Sequence, residues 1–244
     1  FNLDTHLAIK KLRWAEKNEK NIHESFFYVC KAFPSSAEAF FNLASSLFES
    51  NDLKQAGSYI KKAIEICNPD PRFFHLLATI YHAQKKYKMA VQAHERCLSL
   101  DKRNPLFLER FGSTLTAAKD YERAFNELIT AHKLHPQRSG ILGALTIVTA
   151  EINSSKINQF VDYEKFVNTR KIRTPRGFNE LADFNNALHD EISIHHDGRP
   201  PPLGQTMRGG TQIPNNLFKN ARGLTAVLKE SLSEVLKKYI NSMD

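Results

Sequence analysis

The sequence predicts an all-α fold, an α-solenoid of antiparallel helix pairs followed by a mostly helical tail with a Gly/Pro-rich loop. Three observations carry this reading. Small residues recur every 34 positions, at Ala56, Ala90 and Ala124, and again seven residues later at Ala63, Cys97 and Ala131. Ahead of each pair an apolar set returns in the same register: Phe40, Leu43, Ala44 and Leu47, then Phe74, Leu77, Ala78 and Tyr81, then Leu108, Phe111, Gly112 and Leu115. Turn residues punctuate the chain at the same interval. The apolar positions share one helical face, and alanine-sized residues let two antiparallel helices approach closely. A fixed period of this length without strand-like alternation is what stacked helix pairs produce.

Taken in order, residues 3–36 read as a degenerate first repeat, with helical periodicity in Ile9, Leu12 and Ala15 and then in Phe26, Val29 and Ala32. Its turn residue Pro34 is in register with Asn68, Lys102 and Pro136, while the small residues of its second helix are missing, as is common at the end of an array. Repeats at 37–70, 71–104 and 105–138 follow. Asn51-Asp52 separates two helices of one repeat, whereas Asn68-Pro69-Asp70-Pro71 and Asn104-Pro105 separate one repeat from the next, because proline is admitted at a first helical turn. Ile141 to Ile152 reads as one buried helix, either a broken fourth repeat or a capping helix over 139–152, which closes an array spanning residues 1–152. Trp14, Phe26, Phe27, Phe40, Phe41, Phe73 and Phe74 are spaced for the core.

Beyond residue 152 the register is lost. Residues 153–176 read as a linker with a short helix over Lys156–Val167 and a basic run, Arg170 to Arg176, broken by Pro175. In residues 177–244, Phe178, Leu181, Phe184, Leu188 and Ile192 form a helical stripe. Gly198 to Pro214 is a Gly/Pro loop, and Leu224, Val227, Leu228, Leu232, Val235, Leu236 and Ile240 mark a final amphipathic helix.

Composition narrows the function classes. With 41% hydrophobic residues the chain can build a core, and no run of about 18 apolar residues offers a membrane span. The first residues, Phe1 to Thr5, resemble no signal peptide, so a soluble, cytoplasmic protein is expected. Cys30, Cys67 and Cys97 are odd in number and form no C-x-x-C, which favours buried reduced thiols over disulfides or zinc. The net charge of +8 favours acidic partners. It is spread over Lys10, Lys11 and Arg13, over Lys85, Lys86 and Lys88, and over Arg170, Lys171, Arg173 and Arg176, which suits solvated faces better than a nucleic-acid stripe. No phosphate-loop, nucleophile-elbow or H-E-x-x-H motif is present.

The 34-residue register resembles the tetratricopeptide family. That resemblance implies that the first helix of each pair lines a concave surface, with a peptide or protein segment as the partner. The residues facing it would include Asn42, Ser45, Arg72, His75, Thr79, His82, Glu109, Arg110, Ser113 and Thr116. Arg can grip a carboxylate bidentately and Asn can bond a peptide amide. The family's carboxylate clamp is incomplete, since Asn42 and Arg110 stand at suitable positions but Leu76 and Leu106 replace basic groups. His94, at an otherwise apolar position, is expected to be half-buried and hydrogen-bonded. His132 and His135 lack a third ligand, so no metal site is expected in this chain.

In the tail, Gln205, Thr206, Arg208, Gly209, Gly210, Thr211 and Gln212, preceded by Pro202-Leu203-Gly204 and followed by Asn216-Leu217-Phe218 and an amphipathic helix, form a distinctive block. It resembles the opening of a bacterial family of 2-oxoglutarate/Fe(II)-dependent oxygenases that often carries tetratricopeptide repeats. The likeness spans roughly residues 177–242. It implies that 177–244 is the N-terminal portion of an oxygenase-like domain, with Fe(II) and 2-oxoglutarate as cofactors only of a downstream barrel. His195-His196-Asp197 is literally a His-x-Asp, yet no histidine follows it, and a barrel would need roughly 80 to 100 further residues. The chain alone is therefore expected to hold no catalytic, cofactor or metal residues and to be inactive, whether as part of a dioxygenase or as a non-enzymatic scaffold whose tail helices cap the array.

Overall fold

The structure, a computed structural model, describes residues 2–15, 22–66, 69–152, 167–194 and 217–242; the side chains of Leu3, Lys11, Trp14 and Ala15 are outside that set. Cys67, the Lys156–Val167 helix apart from its last residue, His195, Asp197 and the 205–212 block all lie outside the described residues. The chain divides into two compact units, Phe1–Val161 and Asp162–Asp244. All eleven described elements are helices, and no strand occurs among the described residues.

The first unit runs α1 (Leu3–Ala15), α2 (Glu24–Ala32), α3 (Ala37–Glu49), α4 (Leu53–Ile66), α5 (Pro71–Ala83), α6 (Tyr87–Leu100), α7 (Pro105–Ala117), α8 (Tyr121–Leu134) and α9 (Ser139–Glu151). α3 pairs with α4, α5 with α6 and α7 with α8, and each second helix packs on the first helix of the next pair. The six small residues of the repeat register, Ala56, Ala63, Ala90, Cys97, Ala124 and Ala131, are all fully buried at the crossings. Apolar first-helix residues such as Leu43, Leu47, Phe111 and Leu115 fill the space between them. Burial of one such side chain contributes about 2 kcal/mol, so the register is held by many equivalent contacts. At Gly112 the helices approach closely, because a Cβ there would come within 2.4 Å of the Leu128 side chain.

The punctuation is equally regular. Ser36, Asp70 and Asn104 cap α3, α5 and α7, accepting from the amides of Ala39, Arg72 and Leu106, and Pro71 and Pro105 occupy the first helical position. Within each pair the turn is made by a residue in the left-handed region: Asn51 (φ 63°), Lys85 (φ 60°) and Lys119 (φ 65°). The backbone bonds repeat too, with Asn51 to Phe48, Lys85 to His82 and Lys119 to Thr116, and then Asp52 to Leu47, Lys86 to Tyr81 and Asp120 to Leu115. This is a Schellman closure of each first helix.

Three expectations are corrected. Lys10 is not on a solvated face: it is 2% exposed, and its Nζ reaches the Ser46 carbonyl at 3.3 Å and Glu49 at 2.6 Å, tying α1 to α3. Its aliphatic stem packs while Glu49, 42% exposed, keeps the pair in partial contact with water. Phe27 is surface-exposed, meeting Tyr59 edge-on at 5.8 Å, because it sits on the flank of the Phe26, Val29 and Cys30 stripe of α2. The Ile141–Ile152 segment is amphipathic rather than buried all round: Ile141, Leu145 and Val148 are fully buried, while Ile147 is 59% exposed. α9 packs on both α7 and α8, the position of a fourth first helix.

In the second unit, α10 (Leu181–Ile194) packs on α11 (Gly223–Ile240). Phe184 is fully buried and meets Phe178, which precedes the helix, edge-on at 5.3 Å. Glu191 of α10 caps α11 from outside, its two carboxylate oxygens accepting from the amides of Leu224 (2.7 Å) and Thr225 (2.9 Å). A carboxylate at a helix N-terminus meets both unsatisfied donors and the positive end of the helix dipole.

Candidate peptide-binding face

First helices touch one another, α3 on α5, α5 on α7 and α7 on α9, whereas successive second helices stand further apart among the described residues. The array therefore curves toward its first helices, and their free sides form the inner face. The sequence-derived residues on it divide by what already engages them.

Arg72 is occupied. Its guanidinium bonds Asp70 at 2.8 Å and Glu38 at 3.0 Å and lies over the rings of Phe41 and Phe73, 5.3 and 5.7 Å from their centroids. Partial burial works against the Asp70 charge, yet the bonds and charge of Arg72 hold that carboxyl below the usual range. Glu109 is likewise held by Arg138 at 3.1 Å. The hydroxyls of Thr79, Ser113 and Thr116 bond back to the carbonyls of His75, Glu109 and Gly112 one turn earlier. Ser45 is half-buried.

Other groups retain capacity. Asn42 is buried, and its Nδ2 has no hydrogen-bond partner among the described residues. Arg110 is exposed and makes no ion pair among the described residues. His75 is half-buried, its Nδ1 sealed from water and unpartnered, with its ring 4.8 Å from Phe107 and 5.9 Å from His94. His82 Nδ1 lies 3.0 Å from the Thr114 hydroxyl. Burial, reinforced by Arg110, pushes His75 down to about 4 and lowers His82.

His94 corrects its expectation: it is 1% exposed, not half-buried, and its Nδ1 has no partner among the described residues. Burial, then the neighbouring His75, His82 and Arg110, push it down to about 3. It stands where the neighbouring repeats place Ile60 and Leu128, so the core accepts an imidazole only in its neutral form. Phe107 and Thr114 are inner-face contributors that sequence reasoning missed, because each reads as an ordinary helix-packing residue until its histidine partner on α5 is known.

No group of three or more metal-ligating side chains occurs among the described residues, and His135 Nε2 lies 2.7 Å from the Arg103 carbonyl. Cys30 and Cys97 are buried, and burial pushes their thiols up to about 11 and about 12, which leaves them unreactive. No described helix is long and apolar enough to cross a membrane.

Residues 18–97 match the sequence profile of the family described as anaphase-promoting complex, cyclosome, subunit 3. The type IV pilus assembly protein PilF of Pseudomonas aeruginosa is 26% identical over 124 residues, half of this chain and 49% of PilF, so the chain spans about half the length of that relative. Among solved structures, MamA from Desulfovibrio magneticus RS-1 superposes with a TM-score of 0.56 at 11% identity, covering 65% of this chain and 90% of MamA. YrrB, described as a TPR protein with an unusual peptide-binding site, gives 0.53 at 14% identity, covering 78% of this chain and 92% of YrrB. At these identities the likeness is one of fold. The array is a tetratricopeptide-type solenoid.

Proposed function

We propose that the chain is a protein-binding module whose inner face takes an extended peptide across α3, α5 and α7. The observation that carries this reading is the exposed Arg110 guanidinium, which makes no ion pair among the described residues, set among the polar first-helix side chains of that face. Asn42 would pair with a peptide amide and Arg110 with an acceptor. Ser45, Thr79, His82 and Ser113 contribute surface between these anchors, while Arg72 and Glu109 serve the array through their ion pairs. The YrrB description accords with this use of the fold.

Panning random peptides of about a dozen residues against the chain tests the reading. Selected peptides should bind the native chain and a Gln92→Tyr variant on the outer helix α6. They should fail on Thr79→Tyr or Ser113→Tyr. Equal binding by all four proteins would place recognition elsewhere and refute the proposal.

A second reading is favoured by the Gln205–Gln212 block alone: the module would present a substrate to an oxygenase encoded further along the same gene, with Fe(II) and 2-oxoglutarate held there. A natural coding sequence without a downstream His-x-Asp and strand-rich region would remove it and leave a non-enzymatic scaffold.

A further inference from the structure

The second unit carries an opening of its own, independent of the inner face of the array. α11 is covered unevenly. Its start is capped by Glu191 and buries Thr225, but after Leu228 none of its residues is buried. Leu228, Leu232, Val235 and Tyr239 nevertheless follow one another at spacings of four, three and four, the interval at which apolar residues form a seam for another helix. Leu236 and Ile240 widen that seam and are 56% and 52% exposed.

The stretch 167–175, which forms no helix, runs beside this half of α11, and Arg170 Nη2 donates to the Ser242 hydroxyl at 3.0 Å. Between them lies a groove of about 440 Å³ lined by Asn168, Arg170, Leu232, Val235, Leu236 and Tyr239. A hollow of about 300 Å³ continues it past Lys171, Arg173 and Lys238, with Arg170 and Val235 common to both. The floor is apolar and the rim is basic. Glu234 is the one carboxylate lining the two hollows, and Lys238 already holds it at 2.6 Å. Arg170, Lys171 and Arg173 are exposed and make no ion pair among the described residues.

The charge and the shape narrow the occupant. A second copy would bring the same positive rim to the groove, and like charges repel. A bilayer presents a flat surface, whereas Val235 and Tyr239 are half-buried in a hollow that suits a projecting side chain. An apolar stripe flanked by carboxylates satisfies floor and rim together. We propose that this groove docks an acidic amphipathic helix of a partner protein, its apolar stripe lying along α11 and its carboxylates meeting Arg170, Lys171 and Arg173. The two guanidiniums can each take a carboxylate bidentately, which fixes the register of the incoming helix.

Selection from a library of helical miniproteins with one randomised face, run against the full chain, tests the groove. Enriched helices should carry apolar residues three and four apart with Asp or Glu beside them. They should bind the native chain and the inner-face variant Thr79→Tyr equally. Binding should weaken by about tenfold or more in the Leu232→Ser, Leu236→Ser double variant and in the Arg170→Glu, Lys171→Glu, Arg173→Glu triple variant. All five positions are exposed, and circular dichroism confirms the fold of each variant. Failure to enrich any helix, enrichment without acidic residues, or binding that survives in both groove variants would overturn the proposal. Helices blocked by Thr79→Tyr and by neither groove variant would report the inner face and overturn it equally. Self-association in sedimentation equilibrium that the double variant abolishes would assign the face to a second copy instead, and binding to phosphatidylserine vesicles that the triple variant abolishes would assign it to a membrane surface.

Discussion

A neutral imidazole in a hydrocarbon core sets the acid limit of the array. His94 at about 3 and His75 at about 4 both lie below the ordinary histidine value of 6.5. The unfolded chain therefore protonates first as pH falls. The stability these groups permit is complete above about pH 6.5 and is lost progressively as pH drops toward their folded values. Urea midpoints measured at stepped pH should decline through that window. His94→Leu, which restores the residue type of Leu128 at the same register position, should raise stability by about 1–2 kcal/mol at neutral pH and flatten the decline. A lower midpoint in His94→Leu would mean that the imidazole holds a partner it should lack. Lys10 makes the opposite case. Its partner Glu49 remains reachable by water, so Lys10→Met should fold with little loss in thermal melts, whereas a truly sequestered pair would lose about 3–5 kcal/mol.

At the scale of helices, the ends are more informative than the middles. The turn residues Lys85 and Lys119 hold positive φ that an L side chain adopts at a cost of about 1 kcal/mol, and glycine removes that cost. Lys119→Gly should raise the denaturation midpoint modestly, since its gain is offset in part by the freer unfolded chain. α11 behaves differently, because its first turn depends on a residue of another helix. Gly223 has φ +56°, and a Cβ on it would come within 2.5 Å of a Glu191 carboxylate oxygen. Gly223→Ala and Glu191→Ala should each destabilise the second unit by about 1–2 kcal/mol, and the double variant should cost less than the sum. Additive losses in a double-mutant cycle would show that the cap and the glycine act separately. The repeat helices were legible in the sequence because 34-residue spacing, capping residues and prolines all pointed to the same boundaries. The Glu191 cap was not, since its partners lie 33 and 34 positions away outside the repeat register. Nor was the burial of Lys10, which depends on a contact 39 positions distant.

At the scale of the whole molecule, the candidate face was legible only in outline. Register placed Asn42, His75 and Arg110 on the first helices. What separates them from Arg72 and Glu109 is whether a neighbour already neutralises them, a property of packing that no residue type displays. Arg72 and Arg110 look alike as letters, yet one is clamped by Asp70 and Glu38 and the other stands open. The left-handed residues at Asn51, Lys85 and Lys119 have a wider consequence. Each reverses the chain through the same closure, so each repeat performs the same rotation and translation on the next. The array is thus modular in units of one period. Excising residues 71–104 joins the cap-bearing Asp70 directly to Pro105 at the first position of α7 and leaves every remaining turn intact. Such a shortened chain should still melt cooperatively, at lower temperature, whereas a cut a few residues longer or shorter would throw all later helices out of phase. The array can then change length by whole periods without disturbing the closures that remain.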